Sequence, residues 1–294
     1  MMRVAAILTC HNRREGTLAC LEALYSLDKP SDWELAVYLT DDGSSDGTYE
    51  AVRELYPEVF ITRTDGNAYW NGGMYISFEK ALQGGHDRFL WLNDDTHLVK
   101  DTLLRLEHTL NTRSAIRGEY AIVVGTVQDR KREKATYGGV VFSSWWKRTT
   151  PQLVYSETEA VACETVNGNC VWIPVAVASV VGNLDTIFVH GLGDFDYGLR
   201  ARKAGIALWV APGFVGVCDR NKIEGTFMDR NLPLRKRLKI ILGPKGRPPY
   251  AWAVFTRRHC GPAWVLYWFF PYVRVFATWS IAQLSRTLFR RRTI

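Results

Sequence analysis

The sequence predicts an α/β protein with a mostly parallel sheet, followed by a helical extension at the carboxyl end. Short apolar runs alternate with segments of helical spacing over residues 1–125, and aspartate-rich turns follow several of these runs. Strands that alternate with helices of this length predict βαβ units. After residue 220 the sequence becomes basic and rich in aromatic residues. We therefore predict two domains, residues 1–220 and residues 221–294.

The first domain is predicted from apolar periodicity and turn residues. The predicted strands cover residues 4–8, 35–39, 59–62, 89–92 and 121–124, and the predicted helices cover residues 17–27, 48–55, 74–82 and 101–110. Residues 129–150, which include Trp145 and Trp146, have weak periodicity and are predicted to form a surface loop.

The composition excludes several classes of protein. Hydrophobic residues make up 47% of the 294 residues, which excludes a disordered chain, a collagen and a disulfide scaffold. The six cysteines include no C-x-x-C pair, so a zinc knuckle or a redox pair is not expected. Since no signal peptide is recognised before the first strand, we expect the protein in the reducing cytosol.

Charge is distributed unevenly along the chain. Residues 219–294 hold 16 Lys and Arg against 3 Asp and Glu, whereas residues 1–218 hold 21 against 27. The net charges of +13 and −6 predict an acidic body with a basic tail that binds an anionic partner.

Polar residues follow three of the predicted strands, at the edge where ligands bind in parallel sheets. Residues 9–13 follow the first strand, residues 40–48 the second and residues 93–96 the fourth. Two acidic pairs, Asp41–Asp42 and Asp94–Asp95, lie in these segments. A single aspartate there is equally explained as a turn former or a helix cap, as we predict for Asp46. As a set, they predict a cation or hydrogen-bond donors among the carboxylates.

The chemistry of this edge favours a nucleoside diphosphate held through Mg²⁺ or Mn²⁺, which prefer oxygen ligands. The sequence has no G-x-x-x-x-G-K-[ST], and no G-x-G-x-x-G follows the first strand. Neither a P-loop nor a dinucleotide-binding Rossmann domain is therefore expected.

An ordered series of motifs resembles the family 2 glycosyltransferases. It consists of ILTCHNR, YLTDDGSSDGT, GNAYWNGGM, LWLNDDT and GDFDYGLRARKAG, and it covers roughly residues 3–220. The sequence is most similar to bacterial rhamnosyl- and galactosyltransferase-type members of polysaccharide biosynthesis. The resemblance implies a GT-A fold and an inverting hexosyl transfer from a nucleotide sugar, with Mg²⁺ or Mn²⁺ as cofactor.

The resemblance also implies site residues. Asp194 matches the general base, and Asp95 the metal ligand. The nucleotide-sugar site is predicted to contain Thr9, His11, Arg13, Asp42, Asn67, Trp70, Gly73, Asn93 and Asp94. The acceptor side is predicted to contain Asn167, Gly168 and Asp196. Trp70 is equally explained by packing, and Gly73 by a tight turn that opens a helix.

Two positions depart from the family pattern. Gly193 stands where a Glu usually precedes the base. Cys218 stands where the family often has a metal-binding His, and it is either an inert buried thiol or part of a looser metal site. Asp219 is the alternative oxygen ligand.

The basic tail is expected to lie on a membrane surface. Its longest uncharged run, residues 260–273, has 14 residues and is interrupted by Pro262 and Pro271, too short to span a bilayer. The mixture of aromatic residues and arginines favours peripheral attachment to the anionic inner face of the cell membrane. A helix that packs within the chain or forms a homodimer is the alternative. Nucleic acid is disfavoured as a partner.

The sequence thus predicts an inverting transferase that uses dTDP-rhamnose or a UDP-hexose and acts on a lipid-linked glycan or a polysaccharide. Two alternatives remain open. One is a nucleotidyltransferase that makes a nucleotide sugar, and the other is a non-catalytic membrane-bound scaffold that binds sugar nucleotides.

Overall fold

The computed structural model describes residues 1–117, 121–142 and 151–291. The described residues divide into two compact units, one up to Arg220 and one from Asn221 onward.

The first unit contains a large central sheet and a small second sheet. The strands of the central sheet are β1 (Met2–Cys10), β2 (Trp33–Asp41), β3 (Phe60–Arg63), β4 (Arg88–Leu92), β5 (His97–Leu98), β6 (Ala121–Gln128), β7 (Ala135–Tyr137), β10 (Val161–Ala162), β12 (Cys170–Pro174) and β13 (Ala207–Val217). The small sheet contains β8 (Gly139–Phe142), β9 (Pro151–Val154) and β11 (Thr165–Val166), in the order β11-β8-β9.

The central sheet has the order β10-β13-β6-β12-β4-β1-β2-β3, with β5 paired to β13 and β7 to β6. Strands β4, β1, β2 and β3 run parallel, and so do β6 and β13. Strand β12 is antiparallel to both β4 and β6. The prediction of an α/β fold with a mostly parallel sheet is confirmed, and β12 is an antiparallel strand that the sequence pattern did not reveal.

Helices cover both faces of this sheet. They are α1 (Arg14–Tyr25), α2 (Thr48–Leu55), α3 (Tyr69–Leu82), α4 (Thr102–Arg117), α5 (Val175–Val181) and α6 (Gly193–Lys203). Alternate residues of β1 enter two cores: Ala6 and Leu8 pack on the side of α1 and α4, and Ala5 and Ile7 on the side of α3 and α6. Because both faces are buried, the strand is apolar throughout rather than alternating.

Two sequence predictions need correction. Residues 129–150 are not simply a surface loop, since β7 and β8 lie in their described part, where the apolar run GVVF pairs with neighbouring strands. Trp145 and Trp146 lie outside the described residues. Helix α3 begins at Tyr69 rather than at residue 74, because a distant carboxylate, that of Asp42, accepts hydrogen bonds at its start.

The second unit contains three helices, α7 (Leu234–Leu242), α8 (Pro249–His259) and α9 (Trp264–Arg291). Pro271 lies inside α9 and has no N–H to donate to the carbonyl of Tyr267, four residues earlier. The indole Nε1 of Trp252 donates to that carbonyl at 3.2 Å, and Trp252 is buried. Helix α8 thus stabilises the proline-containing part of α9. None of the helices in the described part of the chain is long and apolar enough to cross a membrane.

Candidate functional site

The carboxyl ends of β1 and β2 are joined by a hydrogen bond between their following loops. The His11 ring donates from Nδ1 to the backbone oxygen of Asp42 at 2.5 Å, since a carbonyl only accepts. The other ring nitrogen, Nε2, therefore accepts from Asn12 Nδ2 at 3.1 Å. Parallel pairing of the two strands in register, with Cys10 opposite Asp41, brings these loops together.

Asp42 holds the segment that leads into α3. Its Oδ1 accepts from Thr64 Oγ1 at 2.7 Å and from the Ala68 N–H at 3.0 Å, and its Oδ2 accepts from the Tyr69 N–H at 2.7 Å. Only 4% of Asp42 is exposed. A carboxylate has about four lone-pair sites, so about one remains for a ligand. The contact with the nucleotide sugar that the resemblance implies for Asp42 stays a prediction beside this internal role.

Asp94 and Asp95, which follow β4, share one cation. Arg13 Nη1 lies 3.2 Å from Asp94 Oδ1 and 2.5 Å from Asp95 Oδ2. Burial opposes the charge of Arg13, yet the carboxylates of Asp94 and Asp95 raise its pKa above the usual value. Residues more than 80 positions apart in the sequence thus form a compact group of two carboxyl groups and one guanidinium.

The two carboxylates have different surroundings. Burial raises the pKa of Asp94 to about 7, against the opposing effect of Arg13. Thr17 Oγ1 lies 3.5 Å from its Oδ2, at the limit of a hydrogen bond. The Asp95 side chain is 33% exposed and is therefore the more accessible of the two.

Cys218 contacts this group directly after β13. Its buried Sγ lies 3.4 Å from Asp95 Oδ1 and 3.5 Å from Asn169 Nδ2. Burial, followed by the charge of Asp95, raises the pKa of the Cys218 thiol to about 12, so at neutral pH it is a neutral donor. The Asp219 carboxylate forms an exposed ion pair with Arg130 at 3.3 Å. Cys218, rather than Asp219, therefore lies beside the predicted metal ligand.

The first turn of α3 joins several of these groups. Trp70 Nε1 donates to Asn93 Oδ1 at 2.7 Å. Gly73 is buried, and a Cβ there would lie 2.0 Å from Thr9 Oγ1. The close approach of α3 to strand β1 therefore requires glycine at position 73, and a contact of Gly73 with the nucleotide sugar stays a prediction. Thr9 Oγ1 donates to the Thr40 carbonyl at 3.0 Å, so both residues fix the end of the sheet.

Asp194 lies in the first turn of α6 and is half-buried. Its Oδ2 accepts from the Gly168 N–H at 3.1 Å, and its Oδ1 accepts from the Phe195 N–H at 2.8 Å. A Cβ on Gly168 would lie 2.4 Å from Cζ2 of Trp70 and 3.6 Å from Cβ of Asp194. Trp70 thus packs beside the predicted base and also bonds Asn93, next to the acidic pair.

Three other predicted residues make hydrogen bonds or ion pairs within the fold. Asp196 was predicted on the acceptor side, but it is fully buried and pairs with Arg200 Nε at 2.7 Å. It is therefore not exposed for direct contact with an acceptor. The Asn167 amide oxygen accepts from Gly138 N–H at 3.4 Å, across the turn before β12. Asn67 is exposed in the loop before α3, where its N–H donates to Asp65 Oδ1 at 3.1 Å.

A protein-family model described as glycosyl transferase family 2 matches residues 5–167, more than half of the chain. The chain belongs to glycosyl transferase family 2. No individual curated protein matches the sequence.

Solved glycosyltransferase structures share the GT-A-like fold of this family 2 member. The mannosyltransferase PcManGT from Pyrobaculum calidifontis, in complex with GDP-Man and Mn²⁺, aligns with a TM-score of 0.53 at 18% identity over 96% of this chain and 75% of its own. S. aureus TarS in complex with UDP-GlcNAc aligns with a TM-score of 0.54 at 12% identity, over 87% of this chain and 71% of TarS 1-349. GalNAc-T7 with UDP, GalNAc and Mn²⁺ aligns with a TM-score of 0.56 at 12% identity, over 82% of this chain and 48% of GalNAc-T7. This chain therefore spans about half the length of GalNAc-T7.

The acidic group of this family 2 member offers part of the ligand set that a divalent ion requires. Among the described residues, no three His, Cys, Asp or Glu side chains are placed to hold a metal ion by themselves. Mg²⁺ is commonly bound by one or two carboxylates together with substrate phosphates. Asp95, with Asp94 beside it, provides that number of carboxylates. The donor set therefore fits an ion that takes its remaining ligands from a diphosphate.

Sequence reasoning missed residues that support the site. Asn71 is fully buried between α3 and the loop before α6, and Asn169 contacts Cys218. Asn71 lies inside the GNAYWNGGM motif and Asn169 follows the predicted residue Gly168, but amide side chains carry no pattern that separates packing from turn formation. Leu192, which precedes α6 with φ 81°, had no signal at all, because that backbone region favours glycine.

Proposed function

We propose that the chain is a metal-dependent, inverting glycosyltransferase that transfers a hexosyl unit from a nucleotide-diphosphate donor. dTDP-rhamnose is the first candidate donor, followed by a UDP-hexose. The acceptor is a hydroxyl of a lipid-linked glycan or a polysaccharide, and Asp194 is the general base. The observation that carries the proposal is a set of contacts made by the first turn of α3. The Tyr69 N–H binds Asp42, Trp70 bonds Asn93 next to Asp94, and Trp70 packs on Gly168, whose N–H binds Asp194.

Asp194 is suited to accept the proton of the attacking hydroxyl. Two backbone N–H groups fix the direction of its carboxylate. General-base catalysis of this kind contributes about 10²–10⁴-fold. Because no enzyme nucleophile is required, direct displacement at the anomeric carbon inverts its configuration.

Arg13, Asp94 and Asp95 are suited to the diphosphate. Arg13 presents a guanidinium at the rim, with a side chain 45% exposed, and guanidinium binds phosphate through charge-assisted hydrogen bonds. Asp95 would hold Mg²⁺ or Mn²⁺, and such an ion offsets the charge that develops on the departing nucleoside diphosphate. Asp94 holds Arg13 in place and lies where a ribose hydroxyl would be bound.

The test of the reaction is Asp194→Asn. We expect transfer to fall by about 10²-fold or more, while nucleotide-sugar binding, measured by thermal shift over a panel of donors, stays close to the parent protein's value. Asp101→Asn removes an exposed carboxylate at the start of α4 and is the control. Release of pyrophosphate would identify a nucleotidyltransferase instead. Substantial activity in Asp194→Asn, or a product with retained configuration, would contradict the mechanism.

The second unit supports peripheral attachment at the cytoplasmic face of the membrane. Five large apolar side chains of α9 are 48–73% exposed and recur every three or four residues, as on one face of a helix: Leu266, Phe269, Phe270, Val273 and Phe276. Exposed Arg257, Arg258 and Arg274 lie on α8 and α9. Exposed apolar side chains and exposed arginines in one unit fit an anionic lipid surface, which also brings the enzyme to a lipid-linked acceptor.

Vesicle binding tests this attachment. The full chain should sediment with phosphatidylglycerol vesicles, less with neutral ones, and the binding should weaken with added salt. Phe269→Glu/Phe270→Glu should abolish binding, whereas Ile223→Glu, at an equally exposed site outside α9, should not. Failure of the full chain to bind anionic vesicles would refute the proposal. If the parent protein is a dimer and the double variant is a monomer, this face of α9 serves self-association instead.

A further inference from the structure

We propose that Asn71 is a positioning residue for Asp194, and that it acts through Gly193, the glycine that stands where the family usually has Glu. The inference rests on the proposed role of Asp194 as general base. It explains both the GNAYWNGGM motif and the missing carboxylate as one steric arrangement.

Asn71 ties α3 to the segment that precedes Asp194. Its side chain is fully buried, and Nδ2 donates to the Asp185 carbonyl at 3.0 Å. Its backbone N–H donates to the Val189 carbonyl at 3.2 Å. Two hydrogen bonds from one residue therefore hold the loop that enters α6.

Gly193 leaves room for the Asn71 amide and for nothing more. A Cβ at position 193 would lie 1.6 Å from Asn71 Oδ1 and 2.6 Å from Asn71 Cγ. Any side chain at 193, including Glu, requires the amide to move. Because Asn71 is completely buried and bonded to the Asp185 carbonyl, its amide cannot swing into solvent. Asn71 and a carboxylate at 193 thus exclude each other.

The arrangement carries a cost that points to a role beyond packing. Asn71 Oδ1 has no hydrogen-bond partner among the described residues, and a buried unpaired carbonyl oxygen costs about 1–3 kcal/mol. Leu192, next to Gly193, has φ 81°, in the left-handed region that a branched side chain rarely adopts. Strain of this kind persists where the surrounding structure fixes a functional geometry.

Asp194 is consequently held by the first turn of α3 from two sides. Asn71 contacts its preceding residue, Gly193, and Trp70 packs on Gly168, whose N–H binds the Asp194 carboxylate. The same turn begins at Tyr69, whose N–H binds Asp42. The orientation of the base is therefore coupled to the turn that Asp42 holds on the donor side.

The experiment is a cycle of Asn71→Ala, Gly193→Ala and the double variant, with Gly191→Ala as control. Gly191 lies in the same loop, and a Cβ there meets nothing within 4 Å. Gly193→Ala should lower kcat on the order of 10²-fold, because the start of α6 is displaced, with donor Kd and donor KM unchanged. Asn71→Ala should lower kcat by about tenfold, also without a change in donor Kd. The double variant should return to about the kcat of Asn71→Ala, which is roughly tenfold above that of Gly193→Ala.

The cycle separates positioning from folding. Recovery of Tm in the double variant without recovery of kcat would show a merely structural contact and overturn the proposal. So would a Gly193→Ala enzyme with normal kcat, or an Asn71→Ala enzyme that loses only thermal stability. If the parent protein transfers no sugar at all, the proposed function fails by itself. A Tm that falls in Gly193→Ala and recovers in the double variant then still verifies the steric pair, and an unchanged Tm refutes it.

Discussion

Replacing Asp42 by Asn tests whether this carboxylate holds the turn before α3 or serves only a ligand. The amide oxygen of Asn keeps the two bonds that Oδ1 accepts, from Thr64 and Ala68. The amide nitrogen then faces the Tyr69 N–H, which lies 2.7 Å from the present Oδ2, so two donors oppose each other. A lost bond to a buried charge, together with the unpaired donor, costs about 2–4 kcal/mol. We expect Asp42→Asn to lower the free energy of unfolding by this amount.

The measurement is urea unfolding followed by tryptophan fluorescence, together with the Kd for nucleoside diphosphates by calorimetry. Asp65→Asn is the matched control, because Asp65 lies in the same loop but is exposed. Its unfolding should be the same as that of the parent protein. Thr64→Val removes one donor to Asp42 Oδ1 and should cause a smaller loss than Asp42→Asn.

A variant with parent stability and weaker nucleotide binding would refute this reasoning and would make Asp42 a residue that only reads the base. If stability and binding both fall, and Thr64→Val lowers both in proportion, the turn and the donor site depend on the same carboxylate.

Two further predictions concern stability. The Glu107 carboxylate accepts two hydrogen bonds from Arg88, of 2.8 and 2.9 Å, and one from the Trp172 Nε1–H of 2.8 Å. Glu107→Ala leaves the largely buried guanidinium without its carboxylate and should lower the free energy of unfolding in urea by about 3–5 kcal/mol, and Glu107→Gln should lower it less. Equal losses in the two variants would argue against the charge as the cause. Burial, followed by the charge of Arg3, lowers the pKa of His86 below its usual value. On acidification, His86 is therefore protonated first in the unfolded chain, and the folded state loses stability as the pH falls through about 6.5. His86→Gln should show a weaker loss of stability between about pH 7.5 and pH 5 than the parent protein, and identical pH profiles would exclude this contribution.

The alternation of strands and helices could be predicted from the sequence alone, because apolar periodicity is a local property of the chain. The ends of β1, β2 and β4 were predicted well enough to place Asp42, Asp94 and Asp95 at one edge of the sheet, since parallel strands expose their carboxyl ends together. The motifs were also sufficient for the family, which the match over residues 5–167 confirms.

Other features were decided only by tertiary structure. The antiparallel insertion of β12 depends on pairing with β4 and β6, for which apolar strands carry no directional signal. The early start of α3 depends on Asp42, a residue 27 positions before Tyr69.

The partners of Arg13, Cys218 and Asn71 were likewise beyond the sequence pattern. Arg13 could be predicted to bind phosphate, but its bridge between Asp94 and Asp95 needed the loops after β1 and β4 in contact. In the sequence, Gly193 indicates only that a carboxylate is missing, whereas the structure shows that the Asn71 amide occupies the space a side chain at 193 would need. Periodicity and turn chemistry act between near neighbours in the chain, whereas the space available to a side chain is set by residues that folding brings close from far away.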